Sequence, residues 1–292
     1  MREHSDGGDP GDGADARSDG GVELSERVER SGGAESVPDL WRGEASEDST
    51  EGITYELDVY AGLLEGLLAR GYEFVGFEGA IADGEIALRH DVDISLARAA
   101  AMARAEAELG VTSTYCVLVT NPLYDLLAPD SRRHLHTILS AGHDVGLHFD
   151  PHYYWEAEPV VEDLEARVLE DRAALEHALS FVAREQPGPV AVDSTVVATS
   201  IHQPPEWALG ATFDAFENTY EPAYFSDVAY VSDSGGKWRS ERPFTEGVPD
   251  AMQLLVHPGL WGSADRSLAT ILEHHREQCH DRIERYVGPF GG

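Results

Sequence analysis

From Ile53 onward the apolar positions fall into runs whose spacing alternates between helical and extended. "YELDVYAGLLEGLLARGY" sets Leu57, Tyr60, Leu64 and Leu67 at helical spacing and stops at Gly71. "EIALRHDVD" is a short buried strand running into polar residues, and Ser95 then N-caps "LARAAAMARAEAELG", a helix closing at Gly110. "TSTYCVLVT" and "DVGLHFD" are strands on either side of the helix "SRRHLHTILSAGH". A long amphipathic helix, "VVEDLEARVLEDRAALEHALSFVARE", precedes a Pro/Gly break. The short strands "STVVATSIH", "ATFDAFE", "AYVSDS" and "MQLLVHP" follow, and "RSLATILEHHREQCHDRIERYV" is a final helix. Strands alternating with long helices predict an α/β domain with a mainly parallel sheet. At least six strands in this length predict a closed or distorted (β/α) barrel, with an open doubly wound sheet as the alternative. No Gly-rich phosphate loop follows the first strand, which weakens a nucleotide-binding reading.

Residues 1–52 have a different texture: Gly, Asp, Glu and Ser with few large apolar side chains. Such a segment buries too little surface to offset its ordering entropy, so a disordered acidic tail is expected before a barrel domain over 53–292. A short acidic helix around "VELSERVERS" is the one local structure to expect there.

Charge narrows the function classes. The chain holds 54 acidic against 21 basic residues, a formal net charge of −33, and Lys237 is its single lysine. A surface this negative repels phosphate backbones and anionic lipid heads, arguing against nucleic-acid or membrane-surface binding. It resembles the acidic, lysine-poor proteins of salt-loving microbes, where concentrated salt screens self-repulsion. No apolar run is long enough to span a bilayer. No secretory leader is visible, so a cytoplasmic location is expected. Cys116 and Cys279 are too few for a disulfide framework.

In a parallel barrel, functional side chains gather at the C-terminal ends of the strands. Five strands here deliver ionisable groups to that rim. They are Arg89, His90, Asp91 and Asp93; His148, Asp150 and His152; His202; Asp233; and His257. Against this stand plainer readings: His90 packed beneath the rim, Asp91 and Asp93 capping the next helix, His143 as a turn residue, and His134, His136, His274, His275 and His280 solvated. Tyr153, Tyr154, Trp155, Trp238 and Trp261 either line a sugar-binding cleft or pack loops.

"ALRHDVDIS", "GHDVGLHFDPH" and "LLVHP" resemble the polysaccharide deacetylase (NodB-homology) superfamily of carbohydrate esterases, in its branch with an "RHDVD" opening, associated with surface-glycan biosynthesis. The resemblance runs from about Leu88 to Trp261 and includes "SIHQPP" and "YVSDSGGKWR". It implies a distorted (β/α) barrel. It further implies Asp91 as catalytic base, Asp93, His148 and His152 as metal ligands, and His257 as the acid for the leaving amine. The ion implied is divalent, zinc first, with cobalt, nickel or manganese as alternatives.

Two departures from the family pattern stand out. Val92 separates aspartates that are usually adjacent, so the roles of Asp91 and Asp93 are open to exchange. His202, Gln203 and Pro204 also replace an arginine–proline motif that usually helps hold the base. His202, Trp238, Arg239 and Trp261 are candidate substrate contacts, and Lys237 with Arg239 suits a phosphate or carboxylate on the substrate. The expected activity is removal of an N-acetyl group from an amino sugar in a glycan or glycan precursor. The competitors are hydrolysis of another non-peptide C–N bond and a non-catalytic glycan-binding barrel that has lost its metal.

Overall fold

A computed structural model describes residues 52–185 and 193–290; the expected tail and its short helix lie outside the described residues. Seven strands form one parallel sheet: β1 (Glu73–Val75), β2 (Glu85–Val92), β3 (Thr114–Leu118), β4 (Asp144–Phe149), β5 (Val196–Ile201), β6 (Ala229–Ser232) and β7 (Met252–Val256). The order is β5-β4-β3-β2-β7-β6. One edge of β2 is taken by β7, while β1 pairs with its first residues and β3 with its last. The helices are α1 (Leu57–Leu68), α2 (Leu96–Leu109), α3 (Pro129–Ser140), α4 (Val161–Glu185), the short α5 (Pro222–Phe225) and α6 (Leu268–Val287).

The barrel does not close. No ladder joins β5 to β6; the segment around Asn218 bridges to Thr199 on β5, and Tyr220 meets the Tyr230 ring of β6 at 6.0 Å. "ATFDAFE", expected as a strand, therefore supplies irregular packing, with Phe213 stacked on Phe216 at 4.7 Å. The three-residue β1 was too short to register as a strand by pattern.

Period-two alternation sorts each strand into outer and inner faces. Outward residues Val92, Val117, Val145 and Leu147 meet α2, α3 and α4 in one apolar core, while Ile86, Leu88, Leu254 and Val256 meet α1 in another. Inward residues are different in kind. A floor of Phe77, Ile81, Ala87, Ala198 and Tyr224 closes the bottom, and above it the interior is polar. Space there is tight: a Cβ on Gly146 would lie 2.8 Å from Cys116 Sγ and 3.0 Å from the Ala198 carbonyl.

β2 breaks the outer apolar pattern once, at His90. Its Nε2 lies 2.7 Å from Glu106 Oε1, a carboxylate of α2 with no solvent exposure. Tyr60 also donates to Glu106 Oε1, and Ser113 and Tyr115 donate to Oε2 at 2.7 and 2.9 Å. His143 closes the group, with Nδ1 3.6 Å from Oε2 and Nε2 2.8 Å from the Ala103 carbonyl. His143 sits at the turn closing α3, its amide donating to the Ile138 carbonyl at 3.4 Å, and its buried side chain joins this group. Burial opposes ionisation of Glu106, yet these imidazoles and hydroxyls outweigh it and hold its pKa below the ordinary value.

Two stability outcomes follow. Glu106→Ala leaves His90, Tyr60 and Tyr115 without their shared acceptor and should cost about 3–5 kcal/mol, measured by denaturant unfolding in high salt. Gly146→Ala should cost about 1–3 kcal/mol by overpacking. Adding Cys116→Ala to Gly146→Ala should recover part of that loss.

Candidate functional site

The polar interior is built on Arg89 and Asp91, both buried on the inner face of β2. All five guanidinium N–H groups are used. Nε donates to Asp91 Oδ1 at 3.1 Å and Nη2 to Asp91 Oδ2 at 3.0 Å. The rest reach Thr219 Oγ1 at 2.7 Å, Gln253 Oε1 at 2.8 Å and Tyr220 OH at 2.7 Å. Burial would raise the Asp91 pKa, but Arg89 first, then His148 and His257, keep it below normal. Arg89 thus holds Asp91 in place from two residues away on the same strand.

Above this pair three strand ends converge. Asp93 Oδ1 lies 3.1 Å from His148 Nε2 and 3.2 Å from His202 Nδ1, and the two ring nitrogens are 3.0 Å apart. His148 is aimed from behind: its Nδ1 is 3.1 Å from both the carbonyl and the hydroxyl of Ser200. Ser200 Oγ in turn donates to Asp91 Oδ1 at 2.9 Å. Donating Nδ1–H to the Ser200 carbonyl leaves the Nε2 lone pair facing the other two donors, the tautomer a metal ligand needs.

His202 reaches the group through a register shift. β5 carries one more residue than β4 between the pairs Val145↔Val196 and Leu147↔Thr199. Val196 packs outward, whereas Ser200, of the same parity, points inward to Asp91 and His148. The bulge reverses the phase of the strand and sends His202 to the interior. Gln203, next in the chain, holds φ at 44°.

A divalent ion fits this donor set. Three donors within about 3.0–3.2 Å of one another approach the separation of roughly 3.3 Å expected around a tetrahedral zinc. Asp93 Oδ1 is buried and accepts no aligned hydrogen bond, so it retains lone pairs for a cation. Burial works to raise the Asp93 pKa, but His148 and His202 hold it far below the carboxylate range.

His257 stands opposite. Its Nδ1 is 2.6 Å from Asp233 Oδ1, and its Nε2 is 3.9 Å from Asp93 Oδ2. Asp233 is fully buried and also accepts from Trp261 Nε1 at 2.9 Å and from the His257 backbone at 3.0 Å. Burial disfavours the imidazolium, yet Asp233 more than compensates and pushes the His257 pKa up to about 9.

The expected ligand His152 is not brought into this set. It is exposed on the turn after β4, its Nε2 3.2 Å from the Gln203 carbonyl. Trp238 and Trp261 are 2% and 1% exposed, so neither offers a face to a substrate; Trp261 instead orients Asp233. Arg239 is bound to Asp265 and the Arg266 carbonyl and lies over the Tyr55 ring, which commits it to holding its own loop. Tyr154 donates to Asp171 at 2.8 Å, leaving Tyr153 as the exposed aromatic of the turn.

The fold and site together define a mainly parallel, unclosed α/β barrel with an Asp-His-His cluster at its rim. No protein-family model matches the chain, and no curated protein matches it in sequence. Solved structures overlap it loosely. A family 4 acetyl xylan esterase from Clostridium thermocellum, in complex with a cobalt ion, aligns at TM-score 0.36 and 14% identity, covering 59% of this chain and 73% of that one. A peptidoglycan deacetylase from Bacillus subtilis aligns at 0.37 and 11%, covering 73% and 99%. A CE4 family pseudoenzyme from Bacillus anthracis aligns at 0.38 and 14%, covering 66% and 60%. Overlap at this level leaves function to be read from the site itself.

Metal content tests the donor set. Full-length chain loaded with zinc and desalted should keep a stoichiometric ion by elemental analysis. Asp93→Asn, His148→Ala and His202→Ala should each lose it, whereas His152→Ala should keep it. Loss in His152→Ala with retention in His202→Ala would restore the ligand set that the resemblance implies.

Proposed function

We propose that this chain is a metal-dependent hydrolase that removes the N-acetyl group from an amino sugar in a glycan or glycan precursor, with Asp93, His148 and His202 holding the ion. The observation that supports this is the meeting of a partly buried three-donor cluster with a carboxylate-backed imidazole, His257–Asp233, across a short gap. A divalent ion in such a cluster polarises an amide carbonyl and brings water toward ionisation near neutral pH. Amide cleavage also needs a proton for the departing nitrogen, since an amine anion is a very poor leaving group. His257 is built for that transfer: Asp233 fixes Nδ1–H and leaves Nε2 toward Asp93 and the open side.

Asp91, the expected base, stands on the far side of His148 from the other donors. Its Oδ1 is 3.8 Å from His148 Nδ1, the nitrogen that faces away from Asp93. Both its oxygens are engaged. We assign it to aiming His148 through Ser200, and assign donation of the proton to the departing amine to His257, which Asp233 keeps protonated near neutral pH, while the ionising water gives its proton to bulk solvent. Removing a positioned acid–base group of this kind costs about 10²–10⁴-fold in rate.

The test is acetate release from N-acetylated oligosaccharides by the zinc-loaded full chain. His257→Gln should reduce kcat by that factor while keeping its metal. Metal-loaded wild type that releases no acetate from any N-acetylated sugar would overturn the assignment and turn the search to other C–N bonds.

A further inference from the structure

Gln203 follows the metal donor His202 and precedes two prolines, Pro204 and Pro205. It holds φ at 44°, a conformation that a residue with a Cβ adopts only at a cost. A following proline favours extended backbone at the residue before it, which makes this geometry costlier still. Such a backbone persists where its surroundings hold it.

The turn after β4 supplies the hold. The His202 amide donates to the Phe149 carbonyl at 2.7 Å, and His152 Nε2 lies 3.2 Å from the Gln203 carbonyl. A carbonyl only accepts, so Nε2 carries the proton of that bond. The two bonds bracket His202 and Gln203 from one side. The turn itself is a firm post. Asp150 Oδ1 accepts from the His152 amide at 3.0 Å, and Pro151 is buried. The Tyr153 and Tyr154 amides close back on the Asp150 and Pro151 carbonyls at 3.3 and 3.1 Å. Phe149 stacks on Tyr154 at 5.7 Å, and Tyr154 donates to Asp171 on α4. The post therefore stands on the sheet and its helix layer, not on the segment it supports.

We propose that His152 is a positioning residue: its imidazole holds the Gln203 carbonyl, keeps Gln203 left-handed and so keeps His202 directed at Asp93 and His148. This deepens the metal-dependent reading above, on which it rests. Released from His152, Gln203 relaxes toward extended backbone, and His202, one residue earlier, turns with it. A group that orients a metal donor without touching the ion typically accounts for about 10–100-fold of metal affinity.

Zinc affinity of the full chain, measured in high salt by competition with a chromophoric chelator, tests this. His152→Ala should weaken zinc about 10–100-fold yet still take up a stoichiometric ion at saturation. His152→Gln, which can present an N–H to the same carbonyl, should recover most of the loss. In a Gln203→Gly background, where a left-handed backbone carries no Cβ penalty, the His152→Ala loss should largely vanish. Amide exchange of metal-free protein reads the same latch without the ion: His152→Ala should speed exchange of the His202 amide. Unchanged zinc affinity, unchanged exchange, or an equal His152→Ala loss in both backgrounds would overturn the proposal. A loss as complete as that of His202→Ala, unrescued by glutamine, would also overturn it, by making His152 a donor. Wild type that holds no zinc while His202 exchange still depends on His152 would count against the metal reading and leave the latch standing.

Discussion

The whole site hangs on one buried ion pair. Arg89 and Asp91 lie side by side on the inner face of β2, out of water, where an unpaired charge would cost several kcal/mol. The pair is tolerated because every guanidinium N–H has an acceptor, and those acceptors come from three parts of the chain: Thr219 and Tyr220 in the bridging segment, Gln253 on β7, and Asp91 itself. The interaction therefore does two jobs. It ties the irregular closing segment to the regular sheet, and it fixes the carboxylate on which Ser200, and through it His148, is oriented.

From that base the site is assembled by strand alternation. β2 lifts Asp93 one step above Asp91, β4 brings His148 to the same level, and β7 ends with His257 facing them. Each placement follows from a period of two residues and needs no special backbone. β5 is the exception. Its extra residue near Val196 changes which parity faces inward, and that change separates an outward His202 from one that meets His148 at 3.0 Å.

This difference marks what could be read from the residues alone. The helices, the parallel order and the gathering of ionisable groups at one rim were all legible, because long periodic segments and Ser or Gly caps signal themselves locally. His148 and His257 were legible as site residues because each ends an apolar run. His202 was visible as a rim residue, but its role as a donor was not, since "STVVATSIH" carries no mark of the bulge. His152 was favoured by the family resemblance, whose second motif has two histidines with three residues between them, yet the turn after β4 leaves it exposed beside the Gln203 carbonyl. The tryptophans misled for a similar reason: an aromatic near a strand end reads alike whether it faces a cleft or, like Trp261, serves the carboxylate beneath it. Arg89 as the partner of Asp91 was hidden by being too close, two residues along the same strand rather than in a separate motif.

The contiguity of the "RHDVD" stretch has a physical reason of its own. A strand buried on both faces usually reads as a continuous apolar run, yet β2 places three polar side chains in succession, Arg89, His90 and Asp91, all nearly inaccessible to solvent. Inward charges alone would leave the strand free to slip against the helices outside it. His90 answers that from the outer face by reaching Glu106 on α2, while its Nδ1 lies 3.3 Å from the Val256 carbonyl on β7. A shift of one residue would turn Arg89 and Asp91 out toward the helices and His90 into the interior, breaking the inner hydrogen bonds of the guanidinium and taking from Glu106 the imidazole it is paired with. The register of β2 is thereby held more strictly than hydrophobic burial would hold it. The height of Asp93 above the interior inherits that precision, which a donor set matched to within a few tenths of an ångström requires.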